Sequence, residues 1–400
     1  MKKITLLVIL ASAACLLAVG AFFSGFITGR AASAVPVRLT PIPSFTPDSD
    51  QALIAPFWEA WDLVHTYYVK QPLDDETLMQ GAIRGMLDAL GDEYSAYMDP
   101  FQFQDASIQL SGSYEGIGAW VSVDGEYLTI SDPMPGSPAE TVGLQPGDKV
   151  IAIDGEDMTG IAPELARRKV LGPKGSQVTL TIQREDEPPF DVLITRASIT
   201  VPSVEGKMLD GNIAYVHLYI FGDTTDSDLR DVLTDLMAQN PVGLILDLRN
   251  NGGGEVNTAV RVASEFISDG VLIYEVYGSG ERSQRDAVPG GLVTKIPMVV
   301  LVNKWSASAS EMVAGAIQDY GRAQLVGETT FGKGSMQTWI PLSDEQGAVK
   351  VTSALWLTPK ERSVQKVGLT PDVEVALTDA DAEAGKDPQL DKAVELLTQK

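Results

Sequence analysis

Two apolar runs, GLILDLR (243–249) and MVVLV (298–302), limit the folds open to this chain more than any other feature. A half-buried strand alternates apolar and polar residues, whereas a strand covered on both faces is apolar almost throughout. Both runs are of the second kind, and helical patterns lie between and beyond them. From about 200 to 375 the alternation continues: IAYVHLYIF, a helix Asp226 to Ala238, GLILDLR, a helix near Val256 to Ile267, VLIYEVY, MVVLV, a helix after Ser308, and AQLVG. The Val-, Ile- and Trp-rich strands TWIPL and AVKVTSALWL close the unit. The expected fold class is mixed α/β, with both faces of the core sheet largely covered by helices.

Four hundred residues exceed one ordinary domain, so two or three are expected. Lys2 and Lys3 precede an apolar run from Ile4 to Thr28, long enough to span a bilayer. Residues 1–30 therefore read as a membrane anchor with the bulk of the chain outside. Ala32-Ser33-Ala34 resembles a cleavage site, which makes release the alternative. Pro36, Pro41, Pro43 and Pro47 mark 31–50 as an extended linker. Residues 51–105 follow as a helical segment, with Phe57, Trp61, Val64 and Tyr68 as one packing stripe and Leu78, Ile83, Met86, Leu87 and Leu90 as another. Short strands fill 106–197, the α/β core spans 198–376, and 377–400 is a helical tail with a surface helix from Gln389 to Leu397.

A formal charge of −24 argues against nucleic acid, whose phosphates demand clustered Lys and Arg. The one cysteine, Cys15, lies in the apolar leader, so the folded part has neither a disulfide nor thiolate chemistry. There are two histidines, His65 and His217, both at positions suited to packing or capping. A Ser-His-Asp triad and a multi-histidine metal site are thereby disfavoured, and no metal or cofactor is expected.

Within 106–197, Gly116-Ile117-Gly118 precedes the strand-like AWVSV. Ser137-Pro138-Ala139 opens a short helix ending at Gly143, Asp154-Gly155 marks a hairpin, and a helix runs near Pro163 to Val170. The stretch SPAETVGLQPGDKVIAIDG closely resembles a PDZ domain of the bacterial protease type. The resemblance implies that the loop Tyr114, Glu115, Gly116, Ile117, Gly118 holds a peptide's terminal carboxylate on backbone N–H groups, while the adjoining strand adds the peptide as an extra strand.

The chemistry is concentrated in Asn303 to Gln337. Met312, Val313, Ala316, Ile317 and Tyr320 follow Ser308 at helical spacing, so Ser308 falls at a helix N-terminus, where unpaired N–H groups and the helix dipole favour developing negative charge. Ser308-x-x-Glu311 is equally a capping box. Lys333 sits between Gly332 and Gly334. A lysine serves as a base only when neutral, and at pH 7 an ordinary lysine resists deprotonation by on the order of 4 kcal/mol. A dry pocket removes most of that cost, and the flanking glycines let the backbone pass close to the serine. GETTFGKG (327–334) nearly spells a phosphate-binding loop, but Gly334 replaces the required Ser/Thr and a strand replaces the helix. Ser363-x-x-Lys366 lacks the companion motifs of penicillin-binding enzymes, and no G-x-S-x-G occurs.

DLRNNGGG (247–254), SASASE (306–311) and FGKGSMQ (331–337), together with the preceding PDZ-like unit, resemble the carboxyl-terminal processing peptidases, or tail-specific proteases. The similarity runs from Phe57 to the C-terminus. It implies Ser308 as nucleophile, Lys333 as general base and then acid, and Gln337 as the residue orienting the amine, with the oxyanion held by the N–H groups of Ala309 and of Gly253 in preference to Gly254. The family usually has proline at the position of Gly252 and often a small residue at that of Trp305, departures that touch the loop shape. Asp247 and Arg249 read as structural partners. Some members couple PDZ engagement to activation; Arg167 and Arg168 are candidates for that role, against the plainer reading of a solvated charged face.

The expectation is a serine endopeptidase outside the cytoplasmic membrane that captures free C-termini through its PDZ domain and cuts by acyl-enzyme chemistry. Its partners are protein or peptide substrates, the membrane through the N-terminal segment, and a second copy of the chain. The competing expectation is a membrane-tethered PDZ adaptor on an inactive core.

Overall fold

The computed structural model describes residues 47–399 apart from 186, 379, 382 and 383. The anchor expected in 1–30 and nearly all of the linker expected in 31–50 lie outside the described residues. Among the described residues no helix is long and apolar enough to cross a membrane.

The chain divides into two compact units, residues 1–75 and 76–400. In the first, a helix Pro47–Tyr67 carries the aromatic stripe. Phe57 stacks edge-on to Trp58 with centroids 5.1 Å apart, and Trp61 lies 5.0 Å from His65. His65 bridges the Trp61 carbonyl at 2.8 Å and Asp75 at 2.7 Å, the structural use expected of it. The stripe is not internal packing as the periodicity suggested. Phe57, Val64 and Tyr68 are exposed, since no described residue of this unit covers them.

In the second unit the apolar runs form the heart of a six-stranded sheet. Its order is Val204–Leu209, Ile213–Leu218, Gly243–Asp247, Met298–Val302, Gln324–Gly327, Val373–Glu374. The first pair is antiparallel and the rest are parallel. Helices Thr225–Met237, Val256–Ser264 and Ala309–Asp319 cover one face, with Leu229, Leu233, Val262, Val313 and Ile317 fully buried against it. The other face is closed by the C-terminal helix Pro388–Thr398. That helix was expected on the surface; instead Ala393 and Gln389 are fully buried, and Leu390, Val394 and Leu397 pack on Ile213, Ile245 and Leu301.

VLIYEVY, TWIPL and AVKVTSALWL do not join this sheet. They build a second, antiparallel one, in which Ala348–Leu357 pairs with Val271–Tyr277, Ser335–Pro341 and Ala96–Met98. The exposed hydroxyl residues Thr338 and Ser353 on these strands suit a sheet with a solvated side. Residues 96–98, expected to be helical, are thus an edge strand of this second sheet.

The strands Ala119–Ser122, Leu128–Pro133, Lys149–Ile153, Gln177–Gln183 and Phe190–Thr195 form a separate antiparallel sheet around Leu128, Ile130, Val150, Leu180 and Ile194. Ser137 accepts from the Glu140 N–H as N-cap of the short helix Pro138–Thr141, and the longer helix is Pro163–Val170, both as the sequence predicts. Ala119–Ser122 is an edge strand. Beside it opens a cavity of about 490 Å³ lined by Tyr114, Ile117, Val121, Leu128, Arg167 and Val170, among others.

Candidate active site

The sheet delivers two loops to one place. The strand Gly243–Asp247 ends in the glycine loop, and the next strand, Met298–Val302, ends in the serine loop. Asn251, fully buried, stitches them together. Its carbonyl accepts from the Ala307 N–H at 3.0 Å and the Ser310 hydroxyl at 2.8 Å, and its side-chain oxygen accepts from the Gly253 N–H at 2.9 Å. Ser306, also fully buried, donates to the Leu248 carbonyl at 2.8 Å. The hydroxyls of Ser306 and Ser310 are therefore committed to backbone. Ser308 is the serine of SASAS that is part-exposed, and it opens the helix Ala309–Asp319.

Ser308 has φ 55° and ψ −113°, a conformation that costs a side-chain-bearing residue on the order of 1–3 kcal/mol and persists only where its surroundings enforce it. Gly253 is part of that enforcement. A methyl group built on it would stand 2.8 Å from Ser308 Cβ and 2.9 Å from the Ala309 nitrogen, at φ +105°. Ser308, Ala309 and Gly253 thus meet at one point. The Ala309 N–H belongs to the first helical turn, where no preceding carbonyl can take it. The Gly253 N–H is turned onto Asn251 in this state.

The residue that the sequence underrated is Glu311. It is fully buried, and its carboxylate accepts four hydrogen bonds: from the N–H of Ser308 (2.9 Å), Lys333 (2.8 Å) and Gly332 (2.7 Å), and from the Thr330 hydroxyl (2.6 Å). The capping reading was right about the Ser308 N–H but saw a quarter of the role. Glu311 clamps the serine loop to the lysine loop. Gly332 and Gly334 are needed for a different approach than expected, since side chains there would strike the backbone at Val367, Gly368 and Gln365, not the serine loop.

Lys333 is half-buried. Burial lowers its pKa, Lys350 adds like-charge repulsion, and Glu311 opposes both. Its carbonyl accepts from Trp356 Nε1 at 3.0 Å. Its ammonium lies 5.2 Å from the centre of the Tyr94 ring, and among the described residues no hydrogen bond joins it to the Ser308 hydroxyl. Gln337 Nε2 donates to the Ser335 hydroxyl at 3.0 Å and to the Thr352 hydroxyl at 3.2 Å, not to the lysine. The serine, Gly253 and Ala309 are assembled; Lys333 and Gln337 are close in sequence but aimed elsewhere.

Asp247 and Arg249 are structural, as expected. Arg249 is bidentate on Asp247 and reaches Asp387 at 2.9 Å, the residue that caps the C-terminal helix. The expected loop is only half a loop: Tyr114, Glu115 and Gly116 belong to a strand Ser113–Gly116 paired with Ala197–Thr200, and only Ile117 and Gly118 lie outside it, with the Ile117 carbonyl accepting from the Ala139 N–H at 2.8 Å and that of Gly118 from the Met134 N–H at 2.9 Å. Burial pushes the Tyr114 phenol up, partly offset by the N–H groups of Ala119 and Gly118 that face it. Glu115 accepts from the Lys174 N–H. Arg167 and Arg168 are not a solvated face. Arg167 pairs with Asp105 at 2.9 Å and Glu164 at 2.7 Å, while Arg168 stacks 4.0 Å above Phe101.

Comparison with known proteins matches peptidase family S41 over residues 212–375, a PDZ domain over 129–184 and the activating protease CtpB N-terminal domain over 45–101. A carboxy-terminal-processing protease of Bartonella bacilliformis is 38% identical over 332 residues, covering 80% of this chain and 75% of the relative. The carboxy-terminal processing protease CtpA of Bacillus subtilis is 39% identical over 323 residues, covering 80% of this chain and 68% of the relative. Among solved structures, an S41 protease from Bacteroides fragilis shares the fold at 19% identity, with a TM-score of 0.50 over 83% of this chain and 91% of that one.

Proposed function

Because this chain belongs to peptidase family S41, as a carboxy-terminal processing serine protease with a PDZ domain, we propose that it cuts polypeptides by a Ser308–Lys333 acyl-enzyme mechanism outside the cytoplasmic membrane. Ser308 attacks the scissile carbonyl, Lys333 as free amine takes its proton, and the same nitrogen returns that proton to the leaving amine. The N–H of Ala309, joined by that of Gly253 once it turns from Asn251, stabilises the oxyanion. Gln337 orients the amine after its own release from Ser335 and Thr352. The apolar run 4–28 holds the protein at the membrane.

The observation that carries this reading is the divided fate of the three SASAS serines. Two spend their hydroxyls on buried carbonyls, while the middle one is strained, part-exposed and set against Gly253. Substrate enters through the groove between Ala119–Ser122 and Pro163–Val170, whose free strand edge and apolar walls suit an extended peptide with an apolar C-terminal side chain. The test is cleavage of a reporter bearing an apolar C-terminal tail by protein lacking residues 1–30. Wild type cuts and both Ser308→Ala and Lys333→Ala fail; full activity in either variant ends the mechanism.

A further inference from the structure

The Lys333 ammonium rests on a ring, not on a carboxylate. Among the described residues it enters no hydrogen bond or ion pair, and its Nζ stands over the Tyr94 face at 5.2 Å. Tyr94 arrives from far away in sequence and is firmly held. The strand that follows it, Ala96–Met98, pairs with Ala348–Leu357 in the register Ala96↔Lys350 to Met98↔Ala348. Asp92 accepts from the hydroxyls of Ser95 at 2.5 Å and Thr352 at 2.6 Å, and the Thr352 N–H donates to the Ser95 hydroxyl at 3.0 Å. One cluster therefore fixes the backbone that carries the ring beside Lys333 and, through Thr352, keeps Gln337 turned away.

An aromatic face attracts a cation and offers a neutral amine little. We propose that Tyr94 is a positioning residue for the general base: its ring holds Lys333 charged and away from Ser308, and the amine yields its proton to solvent as it leaves the ring for the serine. This rests on the Ser–Lys reading above. The other charges facing Lys333 are Lys350, which disfavours its ammonium, and Glu311, which favours it. Burial and then Glu93, with Glu311 and Asp92 behind, push the Tyr94 phenol up, which favours the neutral ring.

The experiment is the pH profile of kcat/KM for the tail-bearing reporter, measured on the full chain, with Tyr94→Phe, Tyr94→Trp and Tyr94→Leu. This parameter reports the free enzyme, in which the ring holds the lysine, and it rises with pH as the base loses its proton. Phe keeps the face and leaves the limb where it is. Trp, the stronger cation partner, moves it to higher pH, and Leu moves it down by about 0.5–1 unit. An unmoved limb in Leu, or a shift in Phe as large as in Leu, overturns the proposal. If Leu does not fold, the Trp variant decides alone: an upward shift supports the assignment and an unmoved limb refutes it. Full activity in Lys333→Ala would instead defeat the Ser–Lys reading itself, and is distinguished by needing no Tyr94 variant.

Discussion

The two sides of the candidate active site are built to different standards. On the serine side, Asn251, Ser306, Ser310 and Glu311 are all fully buried and each is hydrogen-bonded across a loop boundary, so the strained Ser308 backbone has no freedom to relax. On the lysine side the backbone is equally pinned, with the Lys333 N–H on Glu311 and its carbonyl on Trp356. The side chains there are not: the ammonium faces a ring, and the Gln337 amide faces two hydroxyls. The contrast teaches which side of the site can rearrange at lower cost. Moving Ser308 would dismantle a buried hydrogen-bond network, whereas moving Lys333 and Gln337 exchanges one weak contact and two neutral hydrogen bonds, each worth about 1 kcal/mol.

The largest effects are expected at the proposed nucleophile and base. Ser308→Ala and Lys333→Ala are each expected to lower kcat/KM for a tailed reporter by roughly 10⁴-fold or more while leaving the urea unfolding midpoint near wild type. Glu311→Ala attacks the clamp that both sides share. It strands three N–H groups and a buried hydroxyl, so a stability loss of about 3–5 kcal/mol is expected by urea denaturation, accompanied by loss of activity. A small loss would mean that the two loops hold their places without the carboxylate. Gly253→Ala acts on the assembled side alone. The methyl group meets Ser308 Cβ and the Ala309 nitrogen, and a drop of about 10²–10³ in kcat with little change in KM is expected from steady-state kinetics.

Two milder variants act on the lysine side. Thr352→Val removes one of the two hydroxyls that hold Gln337 and with it the bond to Asp92, at a stability cost of about 1–3 kcal/mol, and kcat is expected to hold or rise. A fall in kcat would show that this bond belongs to the working arrangement. Lys350→Met removes a like charge that disfavours the Lys333 ammonium, so the lysine pKa rises and the acid limb of kcat/KM moves up by a few tenths of a pH unit, opposite to Tyr94→Leu.

The same division governs what the sequence discloses. The parallel core could be read from GLILDLR and MVVLV because burial on both faces leaves a compositional mark. The candidate serine could be read because helix periodicity starts just after it. Glu311 was legible only as a cap, since Ser-x-x-Glu fixes one of its four bonds locally and the other three depend on a loop about 20 residues away. Tyr94 was invisible, because its contact with Lys333 is made by strand pairing between residues about 250 apart in the chain. The second sheet was read into the first because strand patterns carry no label for which sheet they join. The C-terminal helix was misplaced because its buried face is short, with Ala393 at its centre.

The central claim is that an uncharged Lys333 reaches the hydroxyl of Ser308 during catalysis. A structure of the wild-type protein with a peptide engaged in the groove measures this directly. The account predicts Lys333 Nζ within about 2.6–3.2 Å of Ser308 Oγ, clear of the Tyr94 ring. A peptide seated at the serine with the lysine still resting on Tyr94 would contradict it.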